Sequence, residues 1–515
     1  MLQKSFFTSF LLAMLLASSL LTVQAAEPTP KIPAKTITSE LEMVIYAGDG
    51  KDWTSLRQTP GTIKIPECTD RQFSLTGLTE ENVAVYKKEL RRLQVHSVAL
   101  RILKDTDLKT YVEAGLLTDV TSLEIRYGLL SVTDITPLAK LQNLTLLRVC
   151  YCSELTDITP LAKLQKLTSL ELRFCGKLAD ITPLAKLSKL TSLNLTFCKS
   201  LADITPLAKL QKLTSLDLSF CHKLTDITPL TKLPKIASLN LRCCDELTDI
   251  TPLTRLPNLT SLNLHCKNLT GVMLVTKLQK LTSLDLGCED LTDITPLTKL
   301  QNLTSLDLGD CEKLADISPL AKLQNLTSLD LGGCADLTYI TPLAKLQNLT
   351  SLGLHYCRIL TDIRPLASLQ KLTSLRFSGC EMLTDIAPLA ALRNLTHLAF
   401  WECEKIQDIQ PLAWLPNLVE LALVQCGKTT NFYPISGHKK LNTLRLTIPH
   451  NNLSFLRDLK QLKELVFYNC PKLDNLALLS HLQKLEVLGF YECRLVTETM
   501  LDELEKKLPK NCYVY

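Results

Sequence analysis

Proline returns at a fixed beat through most of this chain. Pro137, Pro160, Pro183, Pro206, Pro229 and Pro252 are each 23 residues apart, and after a disturbed stretch Pro296, Pro319, Pro342, Pro365, Pro388, Pro411 and Pro434 resume the interval. A period of that length specifies a solenoid, whose units stack only on their neighbours. It displaces the several globular domains that 515 residues would otherwise suggest.

The unit at Leu213 to Asp226, LTSLDLSFCHKLTD, followed by ITPLTKL, stands for the rest. Its first leucines fall at i, i+3 and i+5, and the last two alternate with polar residues as a one-faced strand requires. Parallel strands from successive units would stack about 4.8 Å apart. Thr-Pro then opens a short helical turn, with Thr expected as N-cap and Pro at the first helical position, where its missing donor costs nothing. Leu-Ala-Lys-Leu carries the chain over the far side, apolar residues inward and Lys outward. A single unit buries too few aliphatic side chains to offset the entropy of ordering it, so the array must stand cooperatively.

The pattern L-x-x-L-x-L-x-x-C, then L-T-D-I-T-P-L-A-K-L, resembles a leucine-rich repeat, and ITPLAKLQNLTSL at 340–352 is similar to bacterial internalin-like, phosphatase-regulator-type arrays. The resemblance runs from about Val95 to Cys493. It implies an α/β fold: a curved right-handed superhelix with a parallel β-sheet on the concave face and short helical or 3-10 turns on the convex face. About eighteen repeats of 22–23 residues are expected. Two departures stand out, Cys where such arrays usually carry Asn, and 23 residues where they usually carry 22. No cell-wall sorting tail, immunoglobulin-like domain or ubiquitin-ligase domain is expected after the repeats, so host-cell adhesion does not simply carry over.

The ends read differently. Lys4, the apolar run Phe6 to Leu21 and Val23-Gln24-Ala25 make residues 1–25 an expected signal peptide. That predicts export to the periplasm, cell surface or medium. Residues 26–94 form a proline-bearing leader and an N-terminal cap, with a strand over 41–46 and a helix from Thr79 to about Leu93; a small separate domain is the alternative. Residues 95–493 are the repeats. Residues 494–515 are a C-terminal cap whose helix runs from Thr497 to Leu508.

Fifteen of the nineteen cysteines keep one repeat position, from Cys152 to Cys493. Side chains at equivalent positions point the same way, and a continuous ladder favours no one partner, so the ladder reads as free thiols filling a buried turn. No C-x-x-C pair suggests a metal site. Cys68, Cys150, Cys243 and Cys512 leave the ladder. Cys150 and Cys243 fall at outward strand positions and read as candidate reactive thiols, whereas Cys68 and Cys512 lie in the caps, where a local disulfide would fit.

What packing does not dictate lies between the strand leucines. One row, from Glu124 through Asn194, Asp217, Asn240 and Asn263 to Asp285, Asp307 and Asp330, forms an acidic strip inviting a basic partner or cation. Beside it lie Tyr127, Tyr151, Phe174, Phe197 and Phe220, either an exposed apolar patch or a stiffening stack. Gly287, Gly309, Gly332 and Gly333 replace that row and should flatten the surface. Near Leu269–Leu274 the proline and the loop Asp are missing and the spacing tightens to 22 residues.

The expectation is a monomeric exported protein that binds a protein ligand, a basic one on the strip's chemistry, through Asp217, Asp285, Asp307, Asp330 and the Tyr127–Phe220 row. The alternative is a glycan-binding or cell-surface structural protein; the third is an enzyme seated in residues 40–93. No nucleophile elbow, phosphate loop or zinc motif supports catalysis, and no cofactor is expected. The net charge of +5 is too small for a nucleic-acid footprint, and no later run suits stable membrane insertion.

Overall fold

The computed structural model describes residues 35–39, 44–48, 53–57, 61–65, 70–75, 87, 96–102, 105–127, 133–266, 272–427 and 429–515. The expected signal peptide, most of the expected 79–93 helix, Cys68 and Leu269–Gly271 lie outside them. Residues 1–130 and 131–515 form two compact units.

In the first unit Lys35–Ser39 pairs antiparallel with Gly61–Ile65, and Val44–Gly48 pairs antiparallel with Trp53–Arg57 and Asp70–Leu75. Asp70–Leu75 then runs parallel to Ser97–Ile102, and that strand to Ser122–Tyr127. A helix, Asp105–Glu113, returns the chain between the last two.

The second unit is an open parallel sheet in strict register. Leu147 pairs with Leu170, and Leu193, Leu216, Leu239 and Leu262 follow in line. The ladder continues to Val487–Tyr491 and closes on Tyr513–Val514 after the helix Glu498–Glu505. Each strand is followed across the core by a 3-10 turn such as Thr228–Lys232. Between them leucines at 0–2 % exposure, Leu213, Leu216, Leu218, Leu224 and Leu230 in one repeat, form a continuous core. The disturbed repeat keeps its turn, Val272–Lys277, lengthened to six residues.

One local expectation is corrected. Thr does not cap the turn: in Thr228–Lys232 it is the first helical residue, the cap position belongs to Ile227, and no side chain bonds from there. The exposed donor is satisfied from one residue further back. The Thr228 amide donates to Asp226 Oδ1 at 2.7 Å, and Thr159, Thr182, Thr205 and Thr251 repeat the bond to the Asp two residues before each. Asp prefers this Asx turn because its short side chain reaches its own backbone two residues on.

The same device acts at the other end of the strand. Asn194, Asp217, Asn240, Asn263, Asp307 and Asp330 each accept the amide two residues ahead, at 2.7–3.1 Å. These strands stop after three residues, as in Ser215–Asp217. Where Gly353, Arg376, Ala399, Ala422 and Val466 take that place, no oxygen competes for the amide and the strands run five residues. Just beyond, the residue before the ladder Cys is left-handed, with φ of 60–66° at Tyr151, Phe174, Phe197 and Phe220.

Three side-chain ladders tie each turn to the one before it. The Cys198, Cys221 and Cys244 thiols donate to the carbonyls of Leu172, Leu195 and Leu218 at 3.2–3.4 Å. Thr191 and Thr214 hydroxyls donate to Thr168 and Thr191 carbonyls at 3.0 Å. Asn302, Asn325 and Asn348 amides donate to Gln279, Gln301 and Gln324 carbonyls. At the place where similar arrays carry Asn, Cys donates to a strand-end carbonyl, and the Cys311 and Cys470 sulfurs also accept the amides of Cys288 and Ile448.

One core position breaks the apolar rule. His438, 3 % exposed, stands where neighbouring repeats place Leu415 and Leu459, and its Nε2 has no partner. Burial pushes its pKa below the ordinary imidazole range, with a backbone bond at Leu412 opposing. Its folded pKa is depressed, so its contribution is intact above about pH 6.5 and is lost as pH falls. His438→Leu should raise stability by about 1–3 kcal/mol, the cost of a buried unsatisfied group. In thermal melts between pH 7 and 5 the variant should lose less than the wild type.

Candidate binding surface

The sheet face presents the side chains that alternate with the strand leucines. On it the structure places Asp217, Asp285, Asp307 and Asp330 in one register row. It does not leave them as free charges. Asp217 Oδ1 accepts the Ser219 amide at 2.9 Å and its hydroxyl at 2.6 Å, and Oδ2 accepts from Asn240 at 3.1 Å. Asp285 accepts from Asn263 Nδ2 at 2.5 Å and lies 3.7 Å from Arg242 and 3.6 Å from His265 Nδ1. Asp330 sits 3.6 Å from His355 Nδ1.

Electrostatics follow from this crowding. Asp307 lies between Asp285 and Asp330, and burial together with those two carboxylates pushes its pKa up to about 8. Burial raises Asp330 as well, against the opposing pull of His355. Burial lowers His265, but its bonds to Asp285 and Asp310 outweigh that and hold it at about 9. The bond from His265, 3.4 Å from Asp310, keeps Asp310 below the ordinary carboxylate range. The centre of the strip is therefore a cation-bridged cluster in which Asp307 is driven toward its protonated form, with the Asp310 side chain 63 % exposed at its rim.

The glycines serve this cluster. A Cβ on Gly287 would lie 1.9 Å from the His265 ring, one on Gly332 1.9 Å from the His355 ring, and one on Gly353 2.6 Å from Asp330. The row is not bare floor, as the sequence suggested, but a bed on which two imidazoles and a carboxylate lie. Arg242, His265, Asp310 and His355 were missed from sequence. Their trace was a His offset by 22 or 23 residues from a Gly, His265 with Gly287 and Gly332 with His355.

The aromatic row is a stack. Tyr151, Phe174, Phe197 and Phe220 follow ring on ring at 4.1–4.6 Å, within 14° of parallel. Tyr151 at one end is 60 % exposed, and the phenylalanines are half-buried. Each bulky residue holds a left-handed backbone that costs roughly 1–2 kcal/mol. Ring stacking, about 0.5–1.5 kcal/mol per pair, offsets much of it. The Tyr127 side chain lies outside the described residues. A second cluster closes the array, where Trp401 meets Tyr468 at 5.4 Å, Tyr468 stacks on Tyr491 at 5.0 Å, and Tyr491 meets Tyr515 at 5.4 Å. Beside it Arg445 bridges Glu420 and Glu464.

The ladder thiols are buried, while Cys243 takes the place after Phe220 in the aromatic row. Cys150, expected outward and reactive, ends the strand Leu146–Cys150 and is buried at 8 % exposure. Cys243 is half-exposed, and burial raises its pKa. All eighteen described cysteines are free, Cys512 included. Burial holds Cys266 and Cys311 up at about 12. Among the described residues no cluster of His, Cys, Asp or Glu could hold a metal ion, and no helix is long and apolar enough to cross a membrane.

Comparison with known proteins gives a consistent picture. A leucine-rich-repeat family model matches residues 188–232, 279–322 and 301–345, and a model of the BspA-type leucine-rich repeat region matches 440–515. No curated protein matches the chain. An internalin from Listeria monocytogenes is 28 % identical over 62 % of this chain and 93 % of its own, with a TM-score of 0.48. Internalin C2 from the same species is 32 % identical over 38 % and 82 %, with a TM-score of 0.32. The TLR13–ssRNA13 complex is 20 % identical over 77 % and 65 %, with a TM-score of 0.51, a likeness of fold.

Proposed function

Since this chain is a leucine-rich repeat protein, we propose that it is an exported recognition protein that binds a protein ligand on the face of its sheet. Recognition or adhesion is what such scaffolds serve, and the chain needs no chemistry of its own for it. The observation that carries the reading is the His265–Asp285–Asp310–Asp330–His355 cluster. Here the repeats depart from uniform packing to assemble half-exposed charge on a rigid sheet, the setting that gives an interface its specificity.

The ligand is a basic one. Asp285, Asp307, Asp310 and Asp330 all have partners, and those a ligand can reach are the more exposed ones, Asp310 beside His265 and Asp330 beside His355. The aromatic stack from Tyr151 to Phe220 supplies the apolar side of the contact. Residues 1–25 act as the export signal, 26–94 as leader and cap, 95–493 as the repeats and 494–515 as the closing cap. The protein works as a monomer without nucleic acid or cofactor.

The test is capture from the native surroundings with the full chain and with an Asp310→Ala, Asp330→Ala variant. A protein held by the wild type should bind the variant at least tenfold more weakly, while circular dichroism shows the variant still folded. Equal retention by a folded variant refutes the assignment to this cluster. A glycan rather than a protein in the eluate favours the second reading, for which the exposed Tyr151 ring offers a stacking face.

A further inference from the structure

The turn side of the array carries a feature that the sheet-face reading leaves unused. Ten successive 3-10 turns end on a cation at one position, beginning with Lys140, passing through Arg255 and finishing at Lys345. All ten are exposed. Turns stack with the strands, so the charges follow one another at no less than the strand spacing of about 4.8 Å, a line of at least roughly 40 Å. The row then stops abruptly: Ser368, Ala391 and Trp414 hold the place in the next three turns. The turns themselves continue unchanged, so the fold does not require the cation.

Several other lysines of the array are engaged across the ladder, while Lys189, Lys212 and Lys235 make no such bond among the described residues. Lys177 pairs with Glu154, Lys313 with Asp290 at 2.6 Å, and Lys166 and Lys280 bond to Asn143 and Asn258. From Lys163 to Lys345 the row's side chains make no ion pair or hydrogen bond among the described residues. Like charges at this interval repel, and the repulsion is relieved by an anion that spans several of them.

We propose that the row from Lys140 to Lys345 is a binding track for a linear anionic polysaccharide. The spacing suits a polymer with one charge on each sugar ring, laid along the stacking axis. Duplex nucleic acid fits less well, because its phosphates recur about every 3.4 Å along each strand and wind around an axis. Single-stranded nucleic acid is held by aromatic platforms between cations. Here the residue beside each cation is Ala or Thr, as at Ala162, Ala208 and Thr254.

The experiment measures binding of the full chain to dextran sulfate and to sulfated oligosaccharides of graded length, with neutral dextran and a single-stranded DNA of equal charge as comparisons. Lys186→Ala, Lys209→Ala, Lys232→Ala and Lys299→Ala together should weaken dextran sulfate binding at least tenfold, Ala391 showing that the turn accepts the side chain. The same four positions changed to Arg should retain it. Four exposed lysines elsewhere, Lys439, Lys460, Lys472 and Lys510, changed to Ala should weaken it less than twofold. Losing four contacts should also reduce the log–log salt slope by roughly three. Affinity should climb with oligosaccharide length until the row is spanned. Equal weakening by both sets of alanines, no length dependence, or tighter binding of the DNA would each overturn the proposal.

Discussion

Gly427→Ala destabilises the array by about 2–5 kcal/mol, taking the left-handed penalty of roughly 1–2 together with an overpacking cost of about 1–3. Gly427 holds φ +54°, and a Cβ there would meet the Ile406 carbonyl oxygen at 2.1 Å and that of Glu404 at 2.8 Å. Both obstacles are backbone of the preceding turn, which cannot rotate away as a side chain can. Gly176 is the matched control: nothing lies within 4 Å of its Cβ position and its φ is not left-handed. Gly176→Ala should stay within about 0.5 kcal/mol of the wild type. Urea denaturation of the two variants measures the difference, and similar midpoints would contradict the geometry.

Leu239→Ala is expected to cost about 2–5 kcal/mol, the range for a buried leucine whose cavity only partly collapses. Leu239 is 1 % exposed and in register between Leu216 and Leu262, so the cavity opens against both neighbours. Because neighbouring turns supply most of one another's stability, the loss should not remain local. Amide exchange should quicken in the strands on either side as well as in the mutated one. Leu495→Ala, at 46 % exposure, should change little. Quickening confined to the single strand around Leu239 would show that the turns are less coupled than the shared core implies.

The architecture was legible because it rests on periodicity. The prolines locate the 3-10 turns, and the i, i+3, i+5 leucines locate the core, whatever the surface carries. The polar positions were harder to read. Asp226 looks like loop decoration, yet it satisfies the turn's exposed amide. Asp217 and Asp307 look like open charges on the sheet, yet their oxygens end the strand. A short carboxylate prefers its own backbone at i+2 to solvent, and that preference acts over too few residues to leave a hydropathy pattern. His265 and His355 escaped for another reason. Their partners Asp310 and Asp330 belong to other turns or lie far along the chain, and only the register brings them within 4 Å.

The thiol, hydroxyl and amide ladders share an orientation whose consequence concerns the making of the molecule. Cys221, Thr214 and Asn302 each donate to a carbonyl of the preceding turn. The acceptor therefore exists before the donor is synthesised. A chain emerging N-terminus first can fasten each turn to a finished template, whereas one folding from the C-terminus would hold buried donors waiting for carbonyls not yet in place. For these three ladders the array is a ratchet assembled in the direction of translation: shortening it from the C-terminus leaves their donors satisfied, although strand amides such as Leu195, which donates to the Asp217 carbonyl of the next turn, lose their acceptor.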